Sequence, residues 1–167
     1  MPDKQTIERA KQDKREGKSA STQAGEFVRE EMHHIREGKH GARSAKQAIA
    51  IGLSKARQAG VALRPPKKGQ ASEKTRKSAA RGAAQGRGTA GRRKPSAKRS
   101  RAITRALKRE GRGAASHKAL ARQAHTAAGK RTASARSASA KRAARTKGPA
   151  ERSAAARKAA RTRARSR

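Results

Sequence analysis

Between Glu30 and His40 the chain gathers Glu30, Glu31, His33, His34, Glu37 and His40, residue types that can ligate a metal or carry protons. Glu30 and His34 stand four residues apart on one flank of a helix, and His40 follows in a loop. His33 and His34 point about 100° apart on a helix, so the adjacent pair does not share an ion. The expectation is exposed histidines beside carboxylates, with no metal and no cofactor. Glu26, Glu30 and Glu37 read as an acidic, solvated stripe, the other reading being an intramolecular dock for the basic tail. Further on, "GRGTAG" (Gly86–Gly91) satisfies G-x-G-x-x-G, but no strand precedes it and arginines surround it, so it is not a nucleotide loop. A Walker A sequence is absent, and no packed pocket is expected to align serine, histidine and carboxylate, so the chain is not read as an enzyme. Cysteine is absent, which excludes disulfides and cysteine-based zinc sites.

The other chemistry is cationic. Of the 167 residues, 47 are Lys or Arg and 11 are Asp or Glu, a formal charge of +36. Such a charge repels itself unless a polyanion matches it, which points to nucleic acid. The charge is uneven: residues 1–63 carry 13 basic and 8 acidic residues, whereas 64–167 carry 34 and 3. Candidate phosphate-binding residues are Lys67, Lys68, Arg92, Arg93, Lys94, Lys98, Arg99, Arg101, Arg105, Lys108, Arg109, Lys141, Arg142, Arg145, Arg157, Lys158, Arg161, Arg163, Arg165 and Arg167. Nothing reads base sequence: asparagine is absent, and Phe27 alone cannot provide stacking platforms for single strands.

The elements that hold these residues differ between the two halves. Large apolar residues number 14, and 11 of them precede Arg64. In the first half, Ala24, Phe27, Val28, Glu31, Met32 and Ile35 share one helical arc, with Gly38 as a stop. Ala45, Ala48, Ile49, Gly52, Leu53, Ala56 and Ala59 share a second arc roughly 140° wide, behind Ser44 as N-cap and ahead of Gly60 as terminator. Two helices near 23–37 and 45–59 make an αα-hairpin, packed through Phe27, Val28, Met32, Ile35, Ile49 and Leu53. Its Ala/Gly face admits a closely approaching partner. Such a hairpin needs a supplement to its core, by self-association or by a helix from elsewhere in the chain. Residues 3–16 offer a charged helix with Ile7 and Ala10 as its apolar handle.

Beyond Arg64-Pro65-Pro66 the composition cannot offset the entropy of ordering, so the tail is expected to be disordered when free and to gain helix on DNA. One echo crosses the boundary: "REGKHGARSAKQA" (36–48) and "REGRGAASHKAL" (109–120) both run from Glu-Gly to a Ser that starts a new helix. The second copy has too few large apolar residues to form a core. The fold class is thus all-α, a small helical hairpin in the N-terminal third with the remainder largely disordered or in isolated Ala-rich helices. The organisation reads as a charged segment (1–20), the hairpin domain (21–63), a Pro/Gly/Lys-rich linker (64–98), a degenerate helical repeat (99–128) and a basic Ala/Arg/Ser tail (129–167).

The stretch from Glu26 to Val61, above all "KQAIAIGLSKARQAG", resembles a small bacterial domain family of unknown function. Its members carry a Met-His-containing first helix, a Gly-Lys-rich loop and a KQAIAI-x-LS-x-AR second helix. That resemblance implies a bacterial protein and brings no activity or catalytic residue. The remainder is similar to the histone H1-like basic tails of bacterial nucleoid proteins.

The expected function is sequence-nonspecific binding of double-stranded DNA by a nucleoid-associated, histone H1-like protein, with a homo-oligomer formed through the hairpin as an option. The alternatives are an RNA- or ribosome-associated basic protein and an adaptor that docks a protein partner on the hairpin. The charged N-terminus shows no secretory signal, and no apolar run is long enough to span a membrane, so a cytoplasmic protein is expected.

Overall fold

The computed structural model describes residues 2–89 and 96–165, without the side chains of Thr146 and Lys147. Among these residues the regular structure is helical: α1 Lys4–Arg15, α2 Ala20–Arg36, α3 Ala45–Gln58, α4 Glu73–Gly86, α5 Ala97–Arg109, a 3₁₀ turn at Arg112–Ala115, α6 His117–Gly129 and α7 Ala133–Arg165. The chain divides into two units, residues up to Gln123 and residues from Ala124 onward.

The helix starts are set by hydroxyl caps. Ser19, Ser44, Ser72, Ser96, Ser116 and Thr132 each accept a backbone N–H three residues on, at 3.2–3.3 Å. Each bond satisfies one donor that the first helical turn leaves without a partner. At α3 the Gln47 side chain also reaches back, accepting the Arg43 N–H at 2.9 Å. Ser44→Ala should therefore cost about 1 kcal/mol, read as a lowered thermal-unfolding midpoint; an unchanged midpoint would mean that packing alone sets the start of α3. The ends of α2 and α3 are closed by Gly38 (φ 78°) and Gly60 (φ 89°), left-handed conformations that glycine adopts without a Cβ penalty.

The hairpin is formed by α2 and α3, and α1 lies against α2. Two small cores hold it. Met32, Ile35, Ala42 and Ala48 join Ala114 and Ala115, with Val28, Ile49 and Leu120 packed against them. Ala10, Ala24, Phe27, Ala56 and Val61 form the other, with Ile7, Ala20, Leu53 and Leu63 beside it. The helices cross closely at Gly52, where a Cβ would stand 2.7 Å from the Val28 Cα and 3.0 Å from the Phe27 carbonyl oxygen.

The disordered remainder is corrected: most of the chain beyond Arg64 is helical. Helix α4, inside the stretch read as a linker, packs on α3 through Ala79, Gly82 and Ala83. Its last residue, Gly86, lies so close to the Arg57 carbonyl that a Cβ would overlap it. Large side chains are unnecessary here, because alanine and glycine let two backbones approach. The second copy of the echo also enters the core, contrary to expectation. Ala114 and Ala115 are buried against α2 and α3, and the two copies touch. Gly41 donates its N–H to Leu107 (2.9 Å), Ala42 to Gly111 (3.3 Å), and the Arg36 Nε to the Ala115 carbonyl (3.0 Å). The supplement that the hairpin requires is thus furnished within the chain by α1, α4 and the 3₁₀ turn.

In the second unit, α7 is interrupted at Gly148 (φ 57°, ψ 169°), followed by Pro149. No described residue of α7 is buried. This segment was expected to be disordered when free, but the like-charged pairs that would oppose a helix here are few: Lys141/Arg145, Arg142/Arg145, Arg157/Arg161, Lys158/Arg161 and Arg161/Arg165. At about 0.2–0.5 kcal/mol each they total about 1–2 kcal/mol over the helix. The alanines between them, the best helix formers, outweigh that.

Candidate nucleic-acid interface and buried polar cluster

Two arrangements of charged residues emerge, one facing outward and one buried. The first follows from spacing. In α5, Lys98, Arg101, Arg105, Lys108 and Arg109 fall on one arc of about 100°, while Ile103 and Leu107 lie across the axis and Arg99 lies off the arc. All six cations are exposed, and Ile103 is 54% exposed. Lys141, Arg142, Arg145, Arg157, Lys158, Arg161, Arg163 and Arg165 are exposed around α7, and Lys67 and Lys68 are exposed in the turn before α4. Arg92, Arg93, Lys94 and Arg167 lie outside the described residues. Arg101, Arg105, Lys108 and Arg109 line one open pocket on α5, and the other described cations are spread along helix surfaces. From residue 74 onward the sequence offers only Glu110 and Glu151 as carboxylates, and Arg43 approaches Glu110 at 3.5 Å.

Sequence reasoning missed Lys74, Lys77 and Arg81, which stand exposed on the face of α4 opposite Ala79, Gly82 and Ala83. The signal was present in Ser72 followed by a three- to four-residue alternation of cations and small residues, which is a capped helix pattern.

The second arrangement corrects the reading of exposed histidines and a solvated acidic stripe. Glu31, on the apolar arc of α2, is 0% exposed, and Glu30 is 5% exposed. Lys55 of α3 places its Nζ 2.7 Å from Glu31 Oε2 and 3.5 Å from Glu30 Oε1. Because α2 and α3 cross closely, the ammonium is held between two carboxylates that water scarcely reaches. His34 Nδ1 lies 3.9 Å from Glu30 Oε1, and its Nε2 lies 3.4 Å from Asp3 Oδ2. The Asp3 backbone N–H donates to Glu30 Oε2 at 3.2 Å, tying the start of α1 to the cluster. The left-handed turn at Gly38 brings His40 back, with its Nε2 3.3 Å from Glu31 Oε1. His33 stays exposed and outside the group.

Glu26 binds Arg9 of α1 at 2.7 Å. Glu37 is exposed, and the Lys39 ammonium donating to it at 3.0 Å holds its carboxyl below the usual carboxylate range. Arg57 is buried without a carboxylate. It donates instead to the carbonyls of Leu63 (3.3 Å), Leu53 (3.4 Å) and Arg64 (3.3 Å), and burial pushes its pKa down. These bonds fix the segment that leads from α3 to α4. At the end of α4, Gly86 and Gly88 close a helix rather than open one, so "GRGTAG" follows a helix and not a strand; Gly91 lies outside the described residues.

A helical chain with a small polar-centred core and a long cationic helical half is the class these features define. A family of unknown function (DUF6496) matches residues 11–68, about a third of the chain. That match takes in part of α1, all of α2 and α3, the buried Glu30 and Glu31 and the half-buried His34, His40 and Lys55, and it stops before α4. No curated protein and no solved structure matches the chain. Among the described residues, no helix is long and apolar enough to cross a membrane.

Proposed function

We propose that the chain binds double-stranded DNA through its phosphate backbone, without reading bases, as a nucleoid-associated, histone H1-like protein. The observation that carries this reading is the run of exposed Lys and Arg along α4, α5 and α7, in a half of the chain that holds 34 basic and 3 acidic residues. Solubility needs far less charge than this. In α5 the cations recur every three to four residues, about 5–6 Å along the axis, so successive side chains can reach successive phosphates. Arginine and lysine on long stems adapt to an irregular row of anions.

The test is a titration of the full chain with two duplexes of unrelated sequence across a salt series. Equal affinities should fall together, by about 10³–10⁵ between 50 and 200 mM salt for 6–10 phosphate contacts. A strong preference for one sequence with a shallow salt dependence would overturn the reading. A structured RNA competing better than duplex DNA at matched salt would assign the same cations to an A-form backbone.

A further inference from the structure

The outward cations leave the buried cluster without a role. Two buried carboxylates, Glu30 and Glu31, share the single ammonium of Lys55, which leaves one negative charge uncompensated when both imidazoles are neutral; the Asp3 carboxylate beside His34 is exposed to water. Two details locate where compensation is missing. Glu31 is fully buried; the Lys55 ammonium reaches its Oε2 at 2.7 Å, while its Oε1 accepts no hydrogen bond. A buried acceptor with no donor is costly and rare. His40 presents the complementary anomaly. Both of its ring nitrogens face acceptors: Nδ1 lies 3.1 Å from the Gly41 carbonyl oxygen and Nε2 lies 3.3 Å from Glu31 Oε1. A neutral ring has one proton for the two, and with that proton on Nδ1 the Nε2 lone pair faces the Glu31 carboxylate.

We propose that Glu31, His34 and His40 form a binding site for one divalent transition-metal ion of the zinc class. One donor atom from each residue lies within 4.8 Å of the others. Around a tetrahedral ion with bonds of about 2.0–2.1 Å, ligand atoms sit about 3.4 Å apart, so side-chain rotations of about an ångström bring the three donors onto the ion, with a water as the fourth ligand. Glu31 and His34 share a face of α2 at i,i+3, and the Gly38 turn delivers His40 to the same point. Two imidazoles and a carboxylate suit Zn²⁺, Co²⁺ or Ni²⁺, whereas Ca²⁺ and Mg²⁺ require oxygen shells. The Nδ1–H donation from His40 to a backbone carbonyl is the second-shell bond that metal-ligating histidines use to aim the opposite nitrogen. The ion compensates the remaining buried negative charge, and Lys55 stays with Glu30 and the second Glu31 oxygen.

The experiment uses the full chain, freed of nucleic acid and stripped with a chelator, titrated with Co²⁺ and then Zn²⁺ at neutral pH. One Co²⁺ per chain should bind with the intense visible absorption of a tetrahedral site, and one Zn²⁺ should displace it and raise the thermal midpoint. His40→Gln and His34→Gln should weaken binding by about 100-fold and abolish the thermal shift, with helical circular dichroism retained. His33→Gln, an exposed neighbour outside the site, should bind as the parent does. Absence of stoichiometric binding would overturn the proposal and assign the compensating charge to protonated histidine. Equal losses in His33→Gln and His40→Gln would overturn it as well, because a diffuse surface site behaves that way.

Discussion

A chain ending at Gly129 should bind duplex DNA about 10⁴-fold more weakly than the full chain at about 0.1 M salt, and with a shallower salt dependence. The cut preserves α6 and both cores, since their described members extend no further than Leu120. It removes 14 of the 47 basic residues and a single carboxylate, Glu151. If about five of those cations meet phosphates, the slope of log K against log salt falls by about 4.5. The cost of repulsion among the tail cations within a helix is small beside this, about 1–2 kcal/mol, so the free chain does not forfeit its affinity in holding them together. The comparison is made by fluorescence anisotropy with one duplex at several salt concentrations. Equal affinity and equal slope for the two chains would place the contacts on α4 and α5 instead, whose cations the truncation leaves untouched.

The second large effect distinguishes two glycines on the helices of one hairpin. Gly25 of α2 has no atom within 4 Å of the position a Cβ would take, so Gly25→Ala should stabilise by about 1 kcal/mol through helix propensity alone. Gly52 of α3 gains the same propensity term. Its added Cβ, however, meets the backbone of Val28 and Phe27 rather than a side chain that can rotate away. The two helices must then separate along a face where Phe27, Ala56 and Ala48 are packed. Overpacking of this kind costs about 1–3 kcal/mol, which exceeds the propensity gain. Gly52→Ala should therefore lower the midpoint of thermal or urea unfolding while Gly25→Ala raises it. Equal shifts in one direction would mean that helix propensity, not the closeness of the crossing, governs this position.

Much of the hairpin was legible because its signals are redundant. Ser44, Gly38, Gly60 and the two apolar arcs each specify the same boundaries, and close approach at Gly52 follows from the small residues of its arc. The burial of Glu31 could also be read, since it occupies the apolar arc between Phe27 and Ile35. Its partners could not. Lys55 comes from the other helix, Asp3 from the start of α1, and His40 from a loop whose path depends on one left-handed glycine. The docking of α4 was hidden for a different reason. Ala79, Gly82 and Ala83 are indistinguishable in type from the alanines of α7, which no neighbour covers within its own unit. What separates them is a complementary surface on α3, and composition does not carry that. The caps Ser72, Ser96 and Thr132 were readable, but the high charge around them argued for disorder and outweighed them.

The construction of the core from alanine and glycine sets how the protein responds to temperature. Such helices bring backbones together and gain dispersion contacts, yet each residue removes little hydrocarbon from water. The increment in heat capacity on unfolding arises from hydrocarbon newly exposed, so here it is small per residue. The stability curve is accordingly shallow. Its maximum moves to lower temperature, so stability declines almost linearly as the chain is warmed toward its midpoint, and cold weakens this core less than one built of large side chains.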